Sequence, residues 1–316
     1  MYIGIDIHKR YAQVAVMNEI GQIIEEARVE NANLDEFAQR HAGAKAAIEA
    51  TGNYYHIHDT LSEYLDVVVA NPSKLKTIAQ SDKKTDRVDA KQLARLVRLD
   101  SIPESYVPTE QIRECRALVR GRESLVQNRT EYANKVHALL SDHGVTRNVK
   151  PLSASGRESL RELSLPETAQ ALLESHLRVI ETLTDEITQL DERIEQRAES
   201  LPETQLLVSI PGISYYSALT IYAELGEISR FDGDKEVVSY VGLNPKGSSR
   251  ARWVLVQAAR VAVHTCEDEY LSRFYHRLAG RKNDQKAIVA TARKLLVSIY
   301  YMLERGQEYD PPGVSS

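Results

Sequence analysis

Four carboxylates in the first third of the chain carry the chemistry that this sequence offers. Asp6 lies inside the apolar run Tyr-Ile-Gly-Ile-Asp-Ile (residues 2–7), and Glu49 closes a second, Ala-Ala-Ile-Glu (46–49). An unpaired carboxylate is costly to bury in such surroundings. Asp86 and Asp89 stand three apart in a helical stretch, so both project from one face. Two strand-end carboxylates and two from one helical face are an all-oxygen set suited to a hard cation such as Mg²⁺. Paired Mg²⁺ ions stabilise the attacking and leaving oxygens of phosphodiester chemistry. Two plainer readings compete. Acids near a helix start favour the N-terminal dipole, which accounts for Asp86 and Asp89 taken alone, and Asp6 alone fits a turn. The four together favour metal.

Further signals concern nucleic acid. Arg113, Arg116, Arg120 and Arg129 share a helical region and suit either a backbone-binding face or a solvated one. In Ser-Ile-Pro-Gly-Ile-Ser, residues 209–214, a Pro-Gly turn joins two helices. Pro211, Gly212 and Ile213 there suit a helix-hairpin-helix whose N–H groups grip a phosphate, or simply a tight turn. His56 and His58 are two apart, on different faces of a helix, and do not suggest a metal pair. The chain has 16 Tyr against 3 Phe, compatible with stacking on unpaired bases, though half-buried core Tyr is the default.

These residues need elements to hold them. Strands are expected at 2–7, 11–17 and 22–30 as an antiparallel meander, then a helix at 33–41, a strand at 45–50, a helix at 55–65, a strand at 67–70 and a helix from Asp86. A meander followed by βαβ-like alternation is a mixed α/β domain. From Thr109 to His143 the pattern is helical. Leu173, Ile180, Leu183, Ile187, Leu190 and Ile194 form a heptad seam, expected as a coiled coil or an antiparallel hairpin and as a surface for self-association. Pro151, Gly156 and Pro166 mark the loop between these two helices. Further helices are expected over 250–266 and 286–304. The division is α/β at 1–105, a helical connector at 106–201 and a mostly helical domain at 202–316.

Composition sets the bounds. The 316 residues are 42% hydrophobic and 27% charged, as in ordinary globular proteins. The net charge of −5 is uneven: residues 165–203 hold 3 basic against 10 acidic residues, while 101–164 and 204–316 are each +2. Local basic faces are therefore compatible with an acidic whole. Cys115 and Cys266 stand alone without CxxC spacing, which suggests neither disulfides nor zinc. No apolar run reaches membrane-span length, the start lacks a basic signal region, and a reducing cytoplasm is the expected compartment.

Several segments together resemble a known family. Tyr-Ile-Gly-Ile-Asp-Ile-His-Lys, Ile-Glu-Ala-Thr-Gly-Asn-Tyr, Asn-Pro and Lys-Thr-Asp-Arg-Val-Asp-Ala are followed by Ile-Pro-Gly-Ile, Phe231 with Tyr-Val-Gly-Leu-Asn-Pro, and Gly-Ser-Ser-Arg-Ala-Arg-Trp. In this order, over nearly the whole chain, they resemble the DEDD transposases of insertion-sequence family 110, related to the Piv invertases. The resemblance implies an RNase H-like, RuvC-like N-terminal domain, a coiled-coil connector and a C-terminal transposase domain. It also implies Mg²⁺ at Asp6, Glu49, Asp86 and Asp89, a homo-oligomer, and a structured guide RNA that pairs with donor and target DNA. One departure stands out. The family carries a Ser-Gly pair, with the presumed nucleophile, in a stretch after the element matching Gly242–Pro245. Here Pro245 runs directly into Lys246-Gly-Ser-Ser-Arg, so that stretch is missing. Ser248 and Ser249 belong to the downstream element and suit a helix cap, with Arg250 or Arg252 placed for a phosphate.

Two rival readings belong to other classes. An actin-like or sugar-kinase-like ATPase also opens with a strand ending in Asp, but needs Gly-rich phosphate loops, for which Phe231-Asp-Gly-Asp is a faint candidate. A nucleic-acid binder that has lost strand exchange is the other.

Overall fold

Alternating apolar residues at the start of the chain form three antiparallel strands: β1 (Tyr2–Ile7), β2 (Tyr11–Met17) and β3 (Ile23–Glu30). The computed structural model describes residues 1–50, 52, 54–78, 86–145, 149–242, 249–266, 268–281 and 283–311, and only the backbone of 76–78 and 86–88. After the meander come α1 (Leu34–Arg40), β4 (Lys45–Glu49), α2 (Tyr54–Ser62), β5 (Asp66–Ala70), α3 (Pro72–Ile78) and α4 (Asp86–Arg98). β4 pairs parallel to β1 and β5 parallel to β4, giving a five-stranded mixed sheet in the order β3-β2-β1-β4-β5. The short helix α3 was not expected. Pro72 pre-sets its first turn, and Asn71 Oδ1 accepts from the N–H groups of Ser73 and Lys74.

The two faces of this sheet are packed differently. Ile3, Ile5 and Ile7 alternate onto one face with Val14, Val16 and Ile48, where Leu34, Phe37, Ile57 and Leu61 of α1 and α2 cover them. The other face carries Ala47 and Ala70, covered by Leu93 and Val97 of α4. Small residues there let α4 come close. A Cβ on Gly4 would lie 1.9 Å from Ala90 O and 2.4 Å from Ala94 N, both backbone atoms.

Contacts along α4 fix its direction. Lys91 Nζ lies 2.7 Å from Glu26 Oε1, level with the middle of the sheet. Arg98 donates to Glu19 O at 3.4 Å in the β2–β3 turn, next to the Tyr2↔Met17 end. α4 therefore runs antiparallel to β1, and its N-terminus lies toward the Ile7 end.

The chain divides into two units, Met1–Val107 and Pro108–Ser316. In the second, the long helices α5 (Glu110–Asp142) and α7 (Glu167–Glu199) flank the short α6 (Ala154–Arg161). Arg122 pairs with Asp191 at 2.9 Å, Arg129 donates to Thr184 Oγ1 at 3.4 Å, and Tyr132 packs edge-on to His176. Partner numbers fall as numbers on α5 rise, so the two helices form an antiparallel hairpin. Leu173, Ile180, Ile187 and Ile194 are buried, and Leu183 and Leu190 are half-buried. The expectation that this seam drives self-association loses its ground, because α5 already covers the apolar stripe within the chain.

The remaining helices are α8 (Pro202–Val208), α9 (Tyr215–Leu225), α10 (Asp234–Val241), α11 (Ser249–His264), α12 (Glu269–Ala279) and α13 (Asp284–Arg305). Their apolar faces form one core with Ile112, Cys115 and Val119 of α5 and Ile194 and Ala198 of α7. Three short helices escaped the periodicity reading, and local caps explain two of them. Ser153 Oγ accepts from Gly156 N–H at the start of α6, and Asp268 Oδ1 from Leu271 N–H at the start of α12. α10 ends on Gly242 in the left-handed region. Phe231-Asp-Gly-Asp leads into α10: Phe231 is buried against Tyr240, and Asp232 N–H is taken by Glu236. It is a packed helix start. Both cysteines are free, Cys115 buried and Cys266 exposed. Among the described residues no helix is long and apolar enough to cross a membrane.

The Gly4 contact is open to a simple test. Alanine normally improves a strand interior over glycine, but here Gly4→Ala places a methyl inside the α4 backbone. The variant is expected to lose roughly 3 kcal/mol or more in urea unfolding, whereas a loss below about 1 kcal/mol would show that α4 can lift from β1 without consequence.

Candidate functional site

Strand register decides whether the first two carboxylates meet. β1 and β4 run parallel with Ile5 opposite Ile48, so Asp6 and Glu49 come next at the same end. Side chains alternate across a strand. Asp6 thus shares a face with Gly4, and Glu49 with Ala47, which is the face covered by α4. The N-terminus of α4 lies toward that same end. Asp89 is half-buried one residue before Ala90, the residue packed on Gly4, and Asp86 opens the helix with its side chain outside the described set. Among the described residues, no three His, Cys, Asp or Glu side chains are close enough together to hold a metal ion. The donor set itself is carboxylate oxygen without thiolate, the chemistry of a hard cation rather than of zinc.

Asp6 has further polar company that the sequence did not disclose. Its cross-strand neighbour is Gln13, and that of Gln13 is Arg28, so Asp6, Gln13 and Arg28 form a row across three strands. Gln13 is buried; an amide inside the apolar run of β2 was the available signal. The Asp6 carboxylate is 14% exposed, with His8 Nε2 3.2 Å from its Oδ2. The His8 ring stacks on Tyr11 at 4.5 Å, and the Arg28 guanidinium lies over the other ring at 3.7 Å. Asn31 Nδ2 donates to His8 O at 3.0 Å. Asp6 is therefore held in a strand whose next loop is braced by stacked rings and by a side-chain amide.

In the second unit several candidate arginines are committed internally. Arg116 donates to Ala223 O at 2.7 Å and Glu224 O at 3.4 Å, satisfying carbonyls at the C-terminus of α9. Arg120 places Nε and Nη2 on Glu224 Oε1 at 3.1 and 2.9 Å, and that carboxylate is 6% exposed. These two hold α5 to α9, with 42% of the Arg120 side chain still exposed. Arg113 and Arg252 are half-buried, and Arg250 is paired with Glu123 of α5. Arg122 adds a stack on Tyr216 at 4.5 Å, and burial pushes the Tyr216 hydroxyl pKa up.

The Pro-Gly turn is also built for packing. Pro211 is exposed and Ile213 buried, and Gly212 has φ +91°. A Cβ on Gly212 would lie 2.8 Å from Ala262 N, so the turn rests on the backbone of α11. Ile213 N–H donates to Ile210 O, and Ser214 Oγ caps α9 by accepting from Ser217 N–H. Ser249 begins α11, whereas the Pro245 junction and Ser248 lie outside the described residues.

Comparison with known proteins bears on these sites. The DEDD transposase model of IS110 matches residues 3–144, and the model for the transposase IS116/IS110/IS902 family matches 204–276. The transposase for insertion sequence element IS1111A of Coxiella burnetii is 26% identical, over 97% of this chain and 90% of its own length. A putative transposase of Sinorhizobium fredii, y4pF/y4sB, is 24% identical over 97% and 85%. The pilin gene-inverting protein of Moraxella bovis is 26% identical over 83% and 81%. With one model of the family running from the carboxylate unit through α5 and another on the later helices, the two together matching well over half of its residues, this chain belongs to the IS110 family of transposases.

Proposed function

We propose that this chain acts on DNA through a Mg²⁺ site made by Asp6, Glu49, Asp86 and Asp89, as a homo-oligomer with donor and target DNA and a structured guide RNA. The observation that carries the proposal is the common edge. Asp6 and Glu49 follow paired positions on adjacent parallel strands, and α4 brings its N-terminus toward that end of the same face. The strand order β3-β2-β1-β4-β5, with a meander and two parallel additions, supports an RNase H-like, RuvC-like reading of the unit. The three parts proposed are a RuvC-like domain at 1–105, a connector at 106–201 and a transposase domain at 202–316.

In this reading Asp6, Glu49, Asp86 and Asp89 would hold Mg²⁺, which when bound supplies charge stabilisation at the phosphodiester oxygens. The chain's own contribution is positioning. Asp6 and Glu49 are fixed by ladder pairing, and Asp89 by the seating of α4 on Gly4. The stack of His8, Tyr11 and Arg28 steadies the loop after Asp6. In the second unit, Arg113, Arg250 and Arg252 are the phosphate contacts proposed, with the turn at Pro211, Gly212 and Ile213. Arg116 and Arg120 contribute by holding α9 in place. A gene-inverting relative supports site-specific recombination as the reaction class.

Asp6→Asn tests the site. Mg²⁺ at 100 times its Kd should stabilise the wild-type chain by about 2.7 kcal/mol and leave Asp6→Asn unmoved. In a chain given a Ser-Gly stretch after Pro245, Asp6→Asn should lower joining at least roughly a hundredfold. An Asp6→Asn protein that melts higher with Mg²⁺ by the wild-type increment would remove this carboxylate from the site.

Nucleic-acid affinity should fall linearly with salt on a log–log plot, as expected when phosphates are neutralised. Filter binding of structured RNA at stepped NaCl reads the slope, and a flat line, or no binding at low salt, would be fatal to the proposal.

Covalent strand exchange needs a nucleophile positioned in line with the phosphate, and the serine-bearing stretch is missing after Pro245. The unmodified chain is therefore expected to bind but not to join donor and target with a matching guide, and a Ser-Gly stretch inserted after Pro245 should restore joining. Efficient joining by the unmodified chain, abolished by Ser248→Ala or Ser249→Ala, would place the nucleophile there instead.

A further inference from the structure

The helix α11 has two unlike sides. Ala251, Val254, Leu255, Ala258, Ala259, Ala262 and Val263 are buried in the core of the second unit. The outward stripe, at spacings of four, three and four, is Trp253, Gln257, Arg260 and His264. Trp253 is 57% exposed, and it is the single tryptophan of the chain. Val261 beside the stripe is 38% exposed. Leaving an indole in water forfeits a large burial gain, so an exposed Trp on a helix whose other side is packed into a core marks a contact surface.

Charge says what kind of contact. α11 has three arginines and no carboxylate of its own; Arg250 is paired with Glu123 of α5 and Arg252 is half-buried, so the exposed cation on the stripe is Arg260. The stripe ends at His264, whose ring packs edge-on to Tyr275. There it opens into a cleft of about 730 Å³ that Glu269, Arg273 and His276 of α12 also line. From Trp253 to His264 it is about 16 Å long.

Resting on the nucleic-acid reading above, we propose that this stripe binds an unpaired stretch of nucleic acid, with a base stacked on Trp253 and a phosphate on Arg260. An indole face offers little to a duplex, whose bases are already stacked. An unpaired base gains from stacking whatever its identity, and a neighbouring guanidinium takes the backbone. The stripe belongs to the second unit and the carboxylate edge to the first.

Because the chain has one tryptophan, its emission reports on this site alone. The full-length protein is titrated with fluorescein-labelled oligothymidylate, and with a duplex of equal length, at low salt and without Mg²⁺. Anisotropy of the label reads binding, and tryptophan emission reads contact. Emission should be quenched in step with single-strand binding, with weaker quenching by the duplex. Trp253→Ala should weaken single-strand binding about five- to hundredfold, Trp253→Phe should retain most of it, and Arg260→Ala should lower the salt slope by about one. Circular dichroism confirms that each variant is folded. Tight binding with unchanged emission and a neutral Trp253→Ala would overturn this site while leaving the wider reading intact. No binding by anisotropy at all would overturn both. An emission shift on concentrating the protein alone would put a second copy of the chain on the indole and also overturn it.

Discussion

The backbone of α4 lies directly on β1 because residue 4 has no side chain, and the arrangement of the N-terminal unit follows from that approach. With Ala90 O and Ala94 N at the position a Cβ would occupy, α4 is seated at one register along β1. Lys91 and Arg98 fix its direction. The sheet supplies Asp6 and Glu49 at one end, and α4 is held with its N-terminus toward that end. Small residues on the α4 side of the sheet, Gly4, Ala47 and Ala70, contrast with the isoleucines on the other face. One face is shaped for close backbone approach and the other for side-chain packing.

In the second unit the organising contact is electrostatic and largely buried. Glu224 sits near the C-terminus of α9 with its carboxylate 6% exposed, which costs several kcal/mol of desolvation unless compensated. Arg120 answers it with two donors, and Arg116 takes the neighbouring carbonyls. Farther along the hairpin, Arg122 joins Asp191 and stacks on Tyr216. Much of the arginine on α5 is thus used to join helices. A count of arginines therefore overstates the charge that this unit leaves free at its surface. α11 has no carboxylate of its own, and Arg260 is exposed on its outer side.

The sequence by itself determined the elements with strong periodicity. Period-two alternation in β1, β2 and β3, the apolar runs of β4 and β5, and the heptads of α7 each force one secondary structure. The carboxylates of the first unit were legible for the same reason, since Asp6 and Glu49 interrupt runs that are otherwise apolar. Short helices such as α3 and α12 were not legible, because single capping residues specify them and too few turns exist for a pattern to form.

Only the tertiary structure decided partners. The seam of α7 reads equally well as an intermolecular coiled coil or a hairpin, and the pairing with α5 settles which residues bury it, because an apolar stripe specifies burial and not the surface that provides it. The arginines of α5 read equally well as solvated or phosphate-binding, and the buried carboxylate of Glu224 claims one of them. The Pro-Gly turn gave no sign of its neighbour, and only the fold puts Gly212 against the backbone at Ala262. Trp253 gave no sign in the sequence of being exposed, since its helix is amphipathic either way. Periodicity and composition act locally along the chain, whereas burial and pairing depend on residues a hundred positions away.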